Sequence, residues 1–189
     1  MQLRQFEKRD ESKAVWLTAT EIDQLLETTD DELRRYALSM MARAGLRVSE
    51  VHAVKLDDLI KTEQGHIVRV WAGKGDKYRE APIPAEVYWI GRSIAEGQNL
   101  IRHTKRTLQN WVTDAADVMF QATGEIGWSY VSAHDLRRSW ATLLIQSEVE
   151  PLLVMEWGGW SDYEVFRDHY MSIHDPEFQA AERQKVDWL

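Results

Sequence analysis

The chain has 189 residues, which fits one domain, or one with a small appendage, and is enough to bury a sizeable core. It has no cysteine, which excludes disulfide frameworks and thiolate metal sites, and it shows no apolar run of membrane-spanning length and no signal-peptide pattern. Its formal net charge is -8, from 31 acidic residues against 23 lysines and arginines, an unusual balance for a nucleic-acid binder, whose affinity comes largely from neutralised phosphates.

In chain order, residues 1–15 are polar and charged and read as an arm or linker. Thr18-Ala-Thr20-Glu-Ile-Asp reads as a helix start, with hydroxyl caps and acids in the first turn, and Ile22, Leu25 and Leu26 as its apolar face. A second helix is predicted over about 30–44, with Leu33, Ala37, Met40 and Met41 at helical spacing and Gly45 as its stop. A short helix follows over about 48–53. Residues 66–71 alternate and are rich in β-branched types, so they read as a strand. Gly73-Lys-Gly-Asp-Lys is a turn, and 78–83 return as a second strand, stopped by Pro82 and Pro84. Helices are then predicted at about 85–96, 104–121, 134–147, 150–157, 161–171 and 176–187, with loops at 98–104 and 124–132. The fold class is mainly α with a small antiparallel β-hairpin.

Three segments stand out for their chemistry. They are Ala44-Gly-Leu-Arg-Val-Ser-Glu50, His134-Asp-Leu-Arg137, and Gly158-Gly-Trp-Ser161 followed by Tyr170. Arg47 sits just past a glycine-ended helix and opens the next one, a place favourable to anions. Arg137 lies three residues after His134, so the two share a helix face. Two permanently charged planar forks suit the non-bridging oxygens of one phosphate and would stabilise a pentacoordinate transition state with no metal required in principle. Tyr170 supplies a hydroxyl nucleophile, and a phosphotyrosine link conserves bond energy for rejoining without a nucleotide cofactor. Each residue alone is ordinary; their joint order points to strand transfer. The chain contains no GxxxxGK[ST] string, and the spacing of His169, His174 and Asp175 fits no standard metal-binding helix motif.

These segments resemble the catalytic domain of the tyrosine recombinases, the phage-integrase family, over roughly residues 16–175. Residues 44–51 match its first arginine box. Gly73-Lys-Gly-Asp-Lys-Tyr-Arg-Glu-Ala-Pro-Ile-Pro84 matches its β-hairpin lysine segment. Ser132-Ala-His-Asp-Leu-Arg-Arg-Ser-Trp-Ala-Thr142 matches its His-x-x-Arg box, and Gly159-Trp-Ser-Asp with Tyr170 matches its last box. The resemblance implies the fold of the DNA breaking-rejoining enzymes. It implies that Arg47 and Arg137 clamp the scissile phosphate and that Lys74 protonates the leaving 5′-oxygen. His134 would exchange a proton with, or hydrogen-bond, the reacting phosphate, and Glu50 would support the site. Trp160, in a place more often held by histidine, would donate one hydrogen bond from its indole N–H, and Tyr170 would attack the phosphorus. On the helix expected in the major groove, Lys105, Arg106, Gln109 and Asn110 are the candidate contacts to phosphates and base edges. The implied partners are double-stranded DNA and further copies of the chain, as a tetramer on DNA, with no cofactor, no metal and no membrane. The implied location is cytoplasmic and DNA-associated, in the service of a mobile element or virus.

The chain departs from the family pattern in two places. Tyr170 lies ten residues after Trp160, where nine is more usual; the ninth position is His169. Only about sixteen residues precede the catalytic part, where the family usually carries a core-binding domain, so an excised fragment with weak DNA affinity is the expectation. The acidic balance has two readings: acids on faces away from DNA, or an origin in a high-salt cell, such as a haloarchaeon or its virus. Type IB topoisomerase-like strand relaxation and non-catalytic DNA binding on the same fold are the alternative functions. The expected division is 1–15 arm or linker, 16–175 catalytic domain, and 176–189 a helical tail whose amphipathic face docks on a neighbouring copy.

Overall fold

The computed structural model describes residues 1–5, 13–71, 78–167, 170, 176–186 and 188. Helix α1 (Ala19–Leu26) begins at Thr18, whose side chain accepts from the Glu21 N–H while the Glu21 carboxylate accepts from the Thr18 N–H. This reciprocal cap satisfies two donors that would otherwise be orphaned at a helix end. Helix α2 (Glu32–Ala42) is buried on every side from Tyr36 to Ala42. A helix that is apolar all round belongs in the middle of a domain. Packed around α2 are α1, α3 (Val48–Ala53), α4 (Ala85–Ser93), α5 (Lys105–Thr123) and α6 (Ala133–Gln146). Helices α7 (Pro151–Gly158), α8 (Tyr163–Phe166) and α9 (Pro176–Gln184) complete the chain.

Two small sheets accompany the helices. Strands β1 (Gln2–Gln5) and β2 (Lys13–Trp16) pair antiparallel, with Leu3 opposite Val15. Part of the segment expected as an arm or linker is therefore ordered strand. The cause lies on α6: the Val15 N–H donates to Asp135 Oδ1 at 3.0 Å and the Leu17 N–H to Ser139 Oγ at 2.8 Å. Nothing within residues 1–15 could reveal acceptors that lie 120 residues away. The second sheet has the order β3-β4-β5, all antiparallel, from β3 (Leu59–Thr62), β4 (Gly65–Val70) and β5 (Arg79–Ile83). The expected hairpin strands are present at β4 and β5, and β3 adds a third strand too short to show an alternation of its own. The turn expected at residues 73–77 lies outside the described residues. On β5 the residues at alternating positions, Arg79, Ala81 and Ile83, all point inward.

The buried apolar residues form one large cluster centred on α2 and a smaller one made of Trp140, Ala141, Val154, Met155, Phe166 and Tyr170. The link between α2 and α3 passes close to the smaller cluster. Gly45 there has φ +65°, and a Cβ at this position would stand 2.2 Å from the Trp140 ring. Gly45→Ala combines left-handed strain of about 1–2 kcal/mol with overpacking of about 1–3 kcal/mol. A loss of about 2 kcal/mol or more in urea unfolding is the expected result. An unchanged midpoint would show that the indole can withdraw.

Candidate active site

Arg47 is the residue before the first turn of α3. Its backbone N–H donates to Glu50 Oε2 at 2.7 Å, and its Nη1 donates to Glu50 Oε1 at 2.7 Å. Glu50 is only 3 % exposed and also receives a fork from Arg79, Nη1 to Oε1 and Nη2 to Oε2, both at 2.8 Å. Bidentate pairing of this kind is what offsets the cost of burying a carboxylate. Burial alone pushes the Glu50 carboxyl up, but the hydrogen bonds and charge of Arg79, then those of Arg47, outweigh it and hold the group below the usual carboxylate range.

Helix α6 begins where the Ser132 N–H, at 2.9 Å, and the Ser132 hydroxyl both donate to Asp135 Oδ2. That start places His134 in the first turn and Arg137 one turn further in. Arg137 is 1 % exposed. Its Nη1 donates to the Gly45 carbonyl, and its Nη2 to the Gly158 carbonyl at 2.6 Å. Its guanidinium lies 4.0 Å from the centre of the Trp160 ring, within cation–π range. The Arg137 Nε is buried and meets no hydrogen-bond acceptor among the described residues. Burial, followed by the charge of Arg47, brings the Arg137 guanidinium down to about 9, so it remains cationic at neutral pH. Arg47, Arg79 and Arg137 thus surround the single carboxylate of Glu50, an excess of positive charge within an acidic chain.

His134 sits at the edge of this group. Partial burial, and then the charges of Arg138 and Arg137, lower its pKa below the ordinary 6.5, against a smaller opposing effect from Asp135. The ring is therefore neutral at pH 7. Between its folded midpoint and 6.5 the unfolded chain binds more protons than the folded one, so acidification through that window removes stability. An NMR titration of His134 is expected to give a midpoint below 6.5, moving upward in Arg138→Gln. A midpoint at or above 6.5 would show that the neighbouring cations do not reach the ring.

The last box folds back onto the first two. Gly159, with φ +70°, ends α7 in the left-handed region, as glycine allows. Trp160 then lies so close over Gly158 that a Cβ there would fall 1.8 Å from its ring. The Trp160 ring centre is 4.8 Å from that of Tyr170, and Tyr170 packs at 4.9 Å on Phe166 and is 5 % exposed. Trp160 thereby touches both Arg137 and Tyr170. Arg47, Glu50, His134, Arg137, Trp160 and Tyr170 are brought together, whereas Lys74, His169, His174 and Asp175 lie outside the described residues. Lys105, Arg106, Gln109 and Asn110 stand exposed on the first turns of α5, capped by Thr104. Among the described residues, no group of three His, Asp or Glu is placed to hold a metal ion, and no helix is long and apolar enough to cross a membrane.

Two residues of the site escaped sequence reasoning. Asp135 is buried and accepts from Val15, Ser132 and Arg138. Arg79 is 6 % exposed, and its place on the inward-facing register of β5 is the signal that could have found it. An arginine alternating with Ala81 and Ile83 calls for internal acceptors, here Glu50 and the Trp157 carbonyl.

Residues 15–176 match the model of the phage integrase family. The chain belongs to that family, the tyrosine recombinases. It is 33% identical over 168 residues to the tyrosine recombinase XerD of Lacticaseibacillus casei, covering 77% of this chain and 54% of that protein. The chain spans a little over half the length of the curated relatives it matches. Its fold is similar to the crystal structure of XerA recombinase, with a TM-score of 0.75 at 22% identity, covering 91% of this chain and 65% of that one. A XerH site-specific recombinase bound to palindromic difH substrate in a post-cleavage complex is similar with a TM-score of 0.70 at 20% identity, over 92% of this chain and 52% of that one.

Proposed function

We propose that the chain is the catalytic part of a site-specific recombinase that breaks and rejoins double-stranded DNA through a 3′-phosphotyrosine intermediate. The Tyr170 hydroxyl gives up its proton to water as its oxygen attacks the scissile phosphorus, the bond from phosphorus to the 5′-oxygen breaks, and the departing oxygen takes up a proton. Attack by a partner strand's 5′-hydroxyl reverses these steps and releases Tyr170. Arg47 and Arg137 neutralise the non-bridging oxygens as charge builds on them. Lys74 supplies the proton to the leaving oxygen. His134, neutral at pH 7, exchanges a proton with the phosphate or hydrogen-bonds it, and Trp160 donates one hydrogen bond. Lys105, Arg106, Gln109 and Asn110 track the duplex, and further copies assemble as a tetramer on DNA in the cytoplasm. Residues 16–175 act as the catalytic domain and 176–189 as a docking tail, while the strand from Lys13 is packed on α6.

The observation that carries this reading is the contact of one side chain, Trp160, with both a buried cationic guanidinium and the tyrosine ring. The XerH protein was captured on its DNA after cleavage, which supports DNA as the partner of this chain also. The test is incubation with a pool of nicked duplexes of randomised sequence, followed by a denaturing gel. A covalent adduct that resolves into joints between two DNAs is the expected result. Relaxation of supercoils without joints would favour a topoisomerase, and binding without an adduct would favour a non-catalytic protein.

A further inference from the structure

Arg79 comes from the strand that follows the lysine segment, and three of its five N–H groups are spent inside the protein. Nη1 and Nη2 take both oxygens of Glu50, and Nε donates to the Trp157 carbonyl at 2.7 Å. These bonds hold it on Glu50 and on the backbone at Trp157. Its two anchor points lie on opposite sides of the clamp. On one side, Glu50 receives the backbone N–H and Nη1 of Arg47, so the orientation of the carboxylate sets that of the Arg47 guanidinium. On the other side, Trp157 precedes Gly158, whose carbonyl receives Nη2 of Arg137 and over which Trp160 folds. Gly159 leaves room for this brace, since a Cβ there would stand 3.1 Å from Arg79 Cδ.

We propose that Arg79 is a positioning residue that holds the two clamp arginines in mutual register, Arg47 through Glu50 and Arg137 through the backbone at residues 157–158. The proposal rests on the strand-transfer reading above. A buried ion pair is weak support for stability, because well-packed apolar residues often replace one at no cost. Its value here is geometric: three directional donors on one rigid plane fix two segments at once. An ammonium group on a flexible stem cannot reproduce that arrangement.

The test uses Arg79→Lys and Arg79→Met in the full chain, on nicked duplexes from which the unaltered protein forms an adduct. Adduct formation is expected to slow by about tenfold to a hundredfold, the scale of a small misplacement of reacting groups, with DNA affinity in a gel shift unchanged. The groups facing Glu50 are Arg47 and Arg79, with Arg137 near enough to sense its charge. Removing Arg79 lets the Glu50 carboxyl rise, so Arg79→Met gains an acidic fall in rate that Arg79→Met/Glu50→Gln lacks. Arg79→Lys with the unaltered rate and pH profile overturns the proposal, and this variant decides the matter if Arg79→Met does not fold. If the unaltered protein forms no adduct on any duplex, the strand-transfer reading fails separately. Hydrogen exchange of the Arg47 backbone amide then tests the brace alone. Faster exchange in Arg79→Lys at an unchanged melting temperature is expected, and unchanged exchange overturns it.

Discussion

Tyr170→Phe is expected to yield no covalent protein–DNA adduct on a denaturing gel, while the fold and any DNA binding stay close to those of the unaltered chain. The substitution removes one hydroxyl and keeps the ring that packs on Trp160 and Phe166. Without the nucleophile no bond to phosphorus forms, so the loss is complete rather than graded. Tyr163 is the control. It is exposed at the start of α8, seven residues earlier in the chain, and Tyr163→Phe keeps the adduct. If Tyr170→Phe still forms the adduct and Tyr163→Phe does not, the nucleophile has been misassigned.

Arg137→Ala carries the second large effect. Removing a donor aimed at the charge that develops in the transition state costs about a hundredfold to a thousandfold in rate. A lysine in its place restores little, because an ammonium cannot span two acceptors in one plane. The alanine variant also leaves the Gly45 and Gly158 carbonyls without their donor and Trp160 without the cation beneath its ring. Its melting temperature therefore falls along with its rate. Single-turnover cleavage of a nicked duplex, measured on protein shown to be folded by circular dichroism, separates the two effects. A rate loss of less than about tenfold in both Arg137→Ala and Arg47→Ala would remove the phosphate clamp from the mechanism.

Much of this site was readable before any coordinates because its parts are local. Arg47 with Glu50, and His134 with Arg137, are three residues apart within one helical turn, so their association follows from helix geometry. The helix start at Thr18 was legible for the same reason, since a cap lies within four residues of what it caps. What escaped reading depends on distant partners. Strand β2 pairs with β1 and is held on α6 where Asp135 accepts from Val15 and Ser139 from Leu17 just beyond the strand, and β3 forms because β4 folds back on it. The pairing of Arg79 with Glu50 spans 29 residues, and its contact with Trp157 spans 78. The Trp160 contacts were equally hidden, because sequence placed a tryptophan in the last box without showing which side chains it would touch.

The docking of β2 along α6 has a mechanical consequence. Two strand residues advance about 6.7 Å and four helical residues about 6.0 Å. Val15 and Leu17 can therefore meet Asp135 and Ser139 in step, one behind the other. A pull along the strand strains both bonds together in shear, whereas a peeling motion would break them in turn. The strand consequently behaves as a short tether fixed along the same helix that carries His134 and Arg137. A force on the chain before Lys13 therefore reaches that helix at Asp135 and Ser139, on either side of Arg137.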